Sequence, residues 1–232
     1  MIVLGLDTAT PATVVGLRLA DGRTLQARDD PDARQRPGHA TRLLPLANEL
    51  LDEAHVDWSE LERIAVGVGP GTFTGLRIGI ATARGLAQSL DVELVGVSSL
   101  RALAHGVDQE ARRVLAAIDA RRGEVFVAAY DAGQELIVPQ AVSPDGMAEL
   151  LESAAMDTQA EQWLALGDGA ILYREAFERA GVRVADDSSE HHRIQAHAIC
   201  ELGEQAPESA EAVLPDYRRR PDAEIALEGA QV

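Results

Sequence analysis

The sequence predicts a duplicated α/β fold, in which each half has the element order β-β-β-α-β-α-β-α and mixed sheets are flanked by helices. Three observations support this class. An apolar run at the start of the chain ends in Asp7, and a second one near the middle ends in Asp119. Each is followed by two further strand-like runs and then by strands that alternate with helical patterns. Of the 232 residues, 46% are hydrophobic and 25% are charged, as in an ordinary folded domain.

The first half opens with an apolar strand and a hairpin, because a turn signal at Asp21 and Gly22 separates two strand-like runs. After a polar loop comes a helix that begins between residues 39 and 43. Pro45 is expected in the first turn of this helix, where amide hydrogens lack intrahelical partners. The predicted elements are strands 2–8, 13–19 and 24–27, a helix to 54, strand 64–69, helix 76–90, strand 92–97 and a helix capped by Ser98 that ends near 105.

The second half repeats this order, and Ser143 with Pro144 supplies an N-cap and a first helical residue. The predicted elements are strands 114–119, 124–131 and 135–138, helix 143–154, strand 163–167, helix 170–180, strand 182–185 and helix 193–205. This order is that of the ribonuclease-H-like unit, and its duplication is that of the actin-like superfamily. We expect a first domain at 1–106, a smaller second domain at 107–206 and a C-terminal segment at 207–232 with a loose tail. Whether that segment returns to the first domain stays open.

The composition argues against several classes of partner. The 21 basic residues are all Arg, and 38 acidic residues give a net charge of −17, which repels phosphate and disfavours direct nucleic-acid binding. The single cysteine, Cys200, allows no disulfide within the chain and suits a reducing compartment. The first residues lack the basic region of a signal peptide, and no apolar run is long enough to span a membrane. We therefore expect a soluble, cytoplasmic protein.

A glycine-rich loop at residues 69–75 connects a strand to a helix, an arrangement that is typical of anion-binding turns. Its spacing differs from the dinucleotide fingerprint, and no Lys follows to complete a P-loop. In actin-like kinases the end of the first strand also faces phosphate. Two interpretations stay open here, a vestigial phosphate loop and a tight structural turn. The candidate phosphate-loop residues are Asp7, Thr8, Gly69, Gly71, Thr72 and Thr74.

Two helices of the first half carry more apolar or small surface than a single contact needs. The helix ending at residue 54 has a wide apolar stripe, and the next one has small residues at steps of four, flanked by Arg77 and Arg84. Packing on the chain's own sheet and contact with another subunit both explain these patterns. The candidate partner-interface residues are Leu43, Leu46, Ala47, Leu50, Gly75, Arg77, Gly79 and Ala83.

Catalytic and metal-binding patterns are missing from the sequence. None of the six histidines is four residues from another, so the His-x-x-x-His metal arrangement does not occur. Cys200 lies in an apolar helical stretch, and Ser98 and Ser99 are explained by helix capping. We predict no catalytic residue, no metal site and no cofactor.

Residues 67–87, with the sequence GVGPGTFTGLRIGIATARGLA, closely resemble the TsaB family of the bacterial tRNA threonylcarbamoyladenosine machinery. The resemblance extends to residues 2–10, 39–51, 95–100, 119–124, 167–169 and 215–218. It implies a non-catalytic paralogue of TsaD that pairs with TsaD through first-domain helices, with a TsaE-like ATPase joining them. It also implies a homodimer when the chain is alone, and contact with tRNA only through the other subunits.

The expected function is therefore that of a scaffold and activator for a TsaD-type threonylcarbamoyltransferase, which modifies the adenosine next to the anticodon. Two alternatives are open. A free-standing actin-like small-molecule kinase would need a glycine-rich phosphate loop in both halves, whereas Asp119 is followed by Ala-Arg-Arg. A peptidase would need a metal pair or a nucleophile with its base, and the sequence suggests neither.

Overall fold

A computed structural model describes residues 1–32, 35–107, 113–154, 163–207 and 212–218. Its described residues form two five-stranded mixed sheets, which confirms the duplicated, helix-flanked α/β fold. The strands are β1 (Val3–Asp7), β2 (Thr13–Arg18), β3 (Thr24–Asp29), β4 (Arg63–Gly69), β5 (Glu93–Ser98), β6 (Arg113–Arg121), β7 (Glu124–Asp131), β8 (Gln134–Val142), β9 (Leu164–Leu166) and β10 (Arg183–Val184). The helices are α1 (His39–Ala54), α2 (Phe73–Leu90), α3 (Ser99–His105), α4 (Met147–Ser153), α5 (Asp168–Leu172), α6 (Arg174–Arg179) and α7 (Ala196–Gln205).

The two sheets have the same topology. The first has the strand order β3-β2-β1-β4-β5, with β1 antiparallel to β2 and parallel to β4. The second has the order β8-β7-β6-β9-β10, with β6 antiparallel to β7 and parallel to β9. The central strands are apolar along their length because both faces of each sheet are covered. The strands β1 and β6 are each the central strand of their sheet. Asp7 is the last residue of β1, and Asp119 lies two residues before the end of β6.

The helices divide the core into layers. On one face of the first sheet, α1 and α2 bury a cluster that includes Leu4, Leu17, Leu46, Ile64 and Ile80. On the other face α7 packs against β1, β2 and β4. A second apolar cluster joins the two sheets through α3, and it includes residues of β5, α3 and β6. A third lies on the outer face of the second sheet, which α4, α5 and α6 cover.

Several helix boundaries differ from the sequence prediction. The α1 helix begins at His39, so Pro45 lies inside it rather than in its first turn. The amide hydrogen that Pro45 lacks would have bonded the Thr41 carbonyl, and both residues are exposed, so water can satisfy that oxygen. Pro144 begins a separate 3-10 turn before α4, and the helix predicted at 170–180 is broken into α5 and α6 at Tyr173.

The last described residues return to the first sheet. The α7 helix, which the sequence assigned to the second domain, packs on β1 and β2, and the amide of Asp216 donates to the carbonyl of Val68 at the end of β4 (2.7 Å). The division at 1–106, 107–206 and 207–232 stays a prediction. None of the helices in the described part of the chain combines the length and the apolar character needed to cross a bilayer.

Candidate functional site

The glycine-rich loop packs directly on the turn that follows β1. The amide of Thr72 donates to the Ala9 carbonyl (2.8 Å), and the Thr8 hydroxyl donates to the Gly75 carbonyl (2.8 Å). A Cβ atom on Gly71 or Gly75 would lie well under 3.0 Å from the backbone of Ala9 or Thr8. Only glycine permits this approach of two backbones. The turn after β1 thus fills the space that a phosphate would need on that side of Gly71 and Gly75.

The remaining candidate phosphate-loop residues support the same interpretation. Gly69 has a φ of 103°, in the left-handed region that favours glycine, and its Cα faces the side chain of Leu76. Thr72 precedes α2 and makes no side-chain capping bond, while Thr74 is exposed in the first turn of α2. The structure therefore brings Thr8 to the glycine-rich loop, but Thr74 does not face the same space.

Asp7 is wholly buried at the end of β1. Its Oδ1 accepts the amide of Ala9 (2.9 Å), and its Oδ2 accepts the hydroxyl of Ser99 (2.7 Å), the first residue of α3. A side chain at Gly67 would overlap this carboxyl group. Burial raises the pKa of Asp7 from 3.8 to about 6, although the two hydrogen bonds favour the ionised form. The carboxyl group thus connects β1 to α3 through donors of this chain.

The second half repeats this closed arrangement. The amide of Asp119 donates to Oδ1 of Asp168 (3.0 Å), and the carboxylate of Asp119 pairs with Arg121 (3.0 Å). Burial raises the pKa of Asp168. A Cβ on Gly167 would overlap the Ala117 carbonyl. Sequence reasoning missed the Asp119–Asp168 contact, although the Gly-Asp-Gly motif at 167–169 was the signal that could have indicated it.

The candidate partner-interface residues of α1 lie on its inner side. Leu43, Leu46, Ala47 and Leu50 are all buried in the core between α1 and the first sheet. The apolar stripe is wide because α1 contacts β2, β3 and α2 at once. A partner of the folded chain can reach only the opposite side of α1, where Leu44 is 43% exposed.

The small residues of α2 also face inward. Gly75 meets the Thr8 carbonyl, Gly79 meets the Thr8 hydroxyl oxygen, and Ala83 is buried in the core. These residues allow α2 to approach the turn after β1, and their assignment to a partner interface stays a prediction. Arg77 differs from them, because it is exposed on the outer side of α2.

An aromatic cluster that sequence reasoning missed surrounds Arg77. Its guanidinium carbon lies 3.6 Å from the centre of the Phe73 ring, and its Nε donates to the hydroxyl of Tyr217 (2.9 Å). The Phe73 and Tyr217 rings are stacked with their centres 5.3 Å apart. Arg84, two turns further along α2, donates to the carbonyl of Val213. Residues 212–218 therefore lie along the outer side of α2.

The described residues contain no group of three or more His, Cys, Asp or Glu side chains placed to hold a metal ion. Cys200 is buried against Gly5 and Gly16, and burial raises its thiol pKa to about 12, which keeps it in the protonated, unreactive form. The glycine-rich loop is thus closed by the turn after β1. The exposed sides of α1 and α2, whose inner sides are packed on the first sheet, remain as a surface for binding.

Comparisons with known proteins agree with these features. Residues 33–227 match the family model for TsaD, tRNA N6-adenosine threonylcarbamoyltransferase. The chain is 34% identical over 188 residues to the tRNA threonylcarbamoyladenosine biosynthesis protein TsaB of Escherichia coli, covering 80% of this chain and 79% of that protein. It is 29% identical to the TsaB protein of Bacillus subtilis, covering 97% and 96%.

Solved structures are similar to this chain as well, one in sequence and fold and another in fold alone. The structure of YeaZ from Pseudomonas aeruginosa is 33% identical, with a TM-score of 0.74 over 93% of this chain and 99% of that one. At 14% identity, the ROK hexokinase from Thermus thermophilus has a TM-score of 0.51 over 86% of this chain and 97% of that one. The second likeness is one of fold alone, and it places the chain in the actin-like fold.

Proposed function

Because the chain belongs to the TsaB family of tRNA threonylcarbamoyladenosine biosynthesis proteins, we propose that it is a non-catalytic scaffold that binds and activates a TsaD-type threonylcarbamoyltransferase. The pathway follows from the family. The role within the pathway is argued from the loop and the helices of this chain.

The packing of the glycine-rich loop is the observation that carries the proposal. A phosphate bound by this loop at the start of α2 would need open space between the loop and the end of β1, because it must reach backbone amides. Here the backbones of Thr8 and Ala9 occupy that space against Gly71 and Gly75. This favours a binding role over the kinase alternative.

The outer side of α1 and α2 is the surface that we propose for the TsaD-type partner. It exposes Leu44 on α1 and Phe73 on α2, which is 40% exposed. On the same side, Ala81 and Gly85 are small and exposed, so a partner helix could approach α2 closely. The buried side of both helices meanwhile keeps them fixed on the first sheet.

The other partners follow from the same proposal. Without the TsaD-type protein, a second copy of the chain occupies this surface, and a TsaE-type ATPase joins the assembled pair. With a net charge of −17, the chain leaves tRNA contact to the other subunits, in the cytoplasm where tRNA is modified.

The test is to purify the chain and the TsaD-type protein of the same organism and to measure threonylcarbamoyl transfer to tRNA, with the TsaE-type protein present. We expect no transfer by this chain alone, and a rate that rises at least about tenfold when it joins the TsaD-type protein. Leu172→Glu changes an exposed site of α5 in the second half, outside the proposed surface, and this variant should activate as the wild type does. An unchanged rate on addition of the wild-type chain would contradict the proposal.

A further inference from the structure

We propose that residues 212–218 and the first turn of α2 form one docking patch for a segment of the TsaD-type partner that carries a carboxylate beside an apolar side chain. This patch, called the aromatic patch below, consists of Phe73, Arg77, Leu214 and Tyr217. The inference rests on the proposed function, and it names the part of the surface that selects the partner.

Three hydrogen bonds fix the C-terminal segment, one to β4 and two to α2. The Asp216 amide donates to the Val68 carbonyl (2.7 Å), which holds the segment at the end of β4. Arg77 donates to the Tyr217 hydroxyl, and Arg84 donates to the Val213 carbonyl. The side chains of this segment therefore project from a defined position, as an interface needs.

The aromatic patch gathers three of the eight large apolar side chains that are exposed among the described residues. Phe73 is 40%, Tyr217 42% and Leu214 63% exposed, whereas the other phenylalanines, Phe126 and Phe177, are buried. Exposed aromatic rings that are held in one orientation lose little entropy on binding, and Tyr and Arg are frequent among the residues that dominate binding energy. This clustering points to a protein contact.

The charge of the patch indicates what it contacts. In a chain with 38 acidic and 21 basic residues, most described arginines have a carboxylate beside them, as Arg18 and Arg174 do. Within the described residues, neither Arg77 nor Arg84 forms an ion pair, and α2 contains no Asp or Glu at all.

Arg77 is arranged to receive a carboxylate. Its Nε is engaged by Tyr217 and one face of its guanidinium by Phe73, so its conformation is set before the partner arrives. Its two terminal nitrogens make no hydrogen bond within the described residues, and a guanidinium offers such nitrogens in a fork that matches two carboxylate oxygens. The Phe73 and Tyr217 rings beside the guanidinium would shield such a pair from water in the complex, which strengthens it.

The experiment measures the dissociation constant for the purified wild-type chain and TsaD-type protein by calorimetry, at low and at high salt. Tyr217→Ala and Arg77→Ala should each weaken binding about tenfold or more, and Arg77→Ala should also reduce the salt dependence. Tyr217→Phe keeps the ring and should weaken binding only about threefold. Leu172→Ala removes an exposed apolar side chain (56% exposed) from the second half and should leave binding unchanged.

The outcomes separate the two proposals. If the wild-type chain fails to bind the TsaD-type protein, the proposed function fails and this inference with it. If the wild-type chain binds and both alanine variants bind within about twofold of it, the proposed function stands and the aromatic patch is wrong. If the variants weaken only the association of two copies of this chain, the patch belongs to the homodimer, and the inference is overturned as well. Unfolding curves of all variants should coincide with that of the wild type.

Discussion

The hydroxyl of Thr8 donates a hydrogen bond to the carbonyl of Gly75, 67 residues further along the chain, and joins the turn after β1 to the first turn of α2. The bond is buried, and it joins the two segments that the sequence offered as a phosphate loop, the end of β1 and the glycine-rich loop. In this protein those segments bind each other. The contact also sets how closely α2 lies to the first sheet, because Gly79 meets the same threonine one turn later.

We predict that Gly75→Ala destabilises the protein strongly, by about 3 kcal/mol or more, because the new methyl group overlaps the Thr8 carbonyl. The matched control is Gly85→Ala in the same helix, where nothing lies within 4 Å of the added atom. That control should stabilise the protein by about 0.5–1 kcal/mol through helix propensity. Urea unfolding of both variants checks this, and equal effects would contradict the packing described above.

On α1, Leu46→Ala should lower the stability of the protein, whereas Leu44→Ala should weaken partner binding. Leu46 is buried, so its truncation should cost about 2–5 kcal/mol of unfolding free energy. Leu44 is exposed, and its truncation should change stability by less than about 0.5 kcal/mol while weakening binding to the TsaD-type protein. Denaturant unfolding and calorimetric titration measure the two effects. A stable Leu46→Ala variant that fails to bind would return Leu46 to the partner interface.

Asp7 should make the stability depend on pH. Its pKa is higher in the folded protein, at about 6, than the ordinary value of 3.8, so the folded state binds more protons. Its contribution is therefore fully present below about pH 4 and is lost as the pH rises through about 6, by at most about 3 kcal/mol. Asp7→Asn should remove this dependence from unfolding curves measured between pH 4 and pH 8.

A second variant tests the cause of that dependence. Ser99→Ala removes a donor to the ionised carboxylate, so the pKa of Asp7 should rise further and the loss of stability should shift to higher pH. An identical pH profile for Ser99→Ala and the wild type would show that the hydrogen bond from Ser99 does not stabilise the charged form.

Magnesium with ATP should leave the melting temperature of the wild-type chain unchanged at millimolar concentration, because the space beside Gly71 and Gly75 is filled. Differential scanning fluorimetry measures this directly, with the TsaD-type protein as the comparison. A rise of several degrees would favour the kinase alternative.

The sequence predicted the element order well because the strands of both sheets are buried on two faces and read as short apolar runs. At α1 and α2 the sequence did not show what the apolar or small side of each helix faces, for a specific reason. Periodicity shows which side of a helix is apolar, but it does not show what lies opposite, and Leu46 and Gly79 face the chain's own sheet and the Thr8 side chain. The wide stripe reflected three simultaneous contacts of α1 within the chain.

Other parts of the site had no periodic signal. Tyr217 lies in a segment without regular secondary structure, so its position beside Phe73 depends on the tertiary path of the chain. Outside the site the same holds for His192, which lies in a polar stretch of sequence and is nevertheless buried, where its Nδ1 accepts the amide of Gly167 (3.0 Å). Arg77 was placed on the surface of α2 by its spacing, and that position is correct.

The closed loops at Gly75 and Gly167 also limit how this lineage can change. In both halves the glycine Cα lies against a backbone carbonyl, of Thr8 or of Ala117, rather than against a side chain that a mutation could shorten. No single substitution at those carbonyls can reopen the space, because every amino acid carries the same backbone. Opening space for a ligand beside either glycine would therefore require a whole loop to be rebuilt by insertion or deletion, whereas the exposed side chains of α1 and α2 can change without disturbing these contacts.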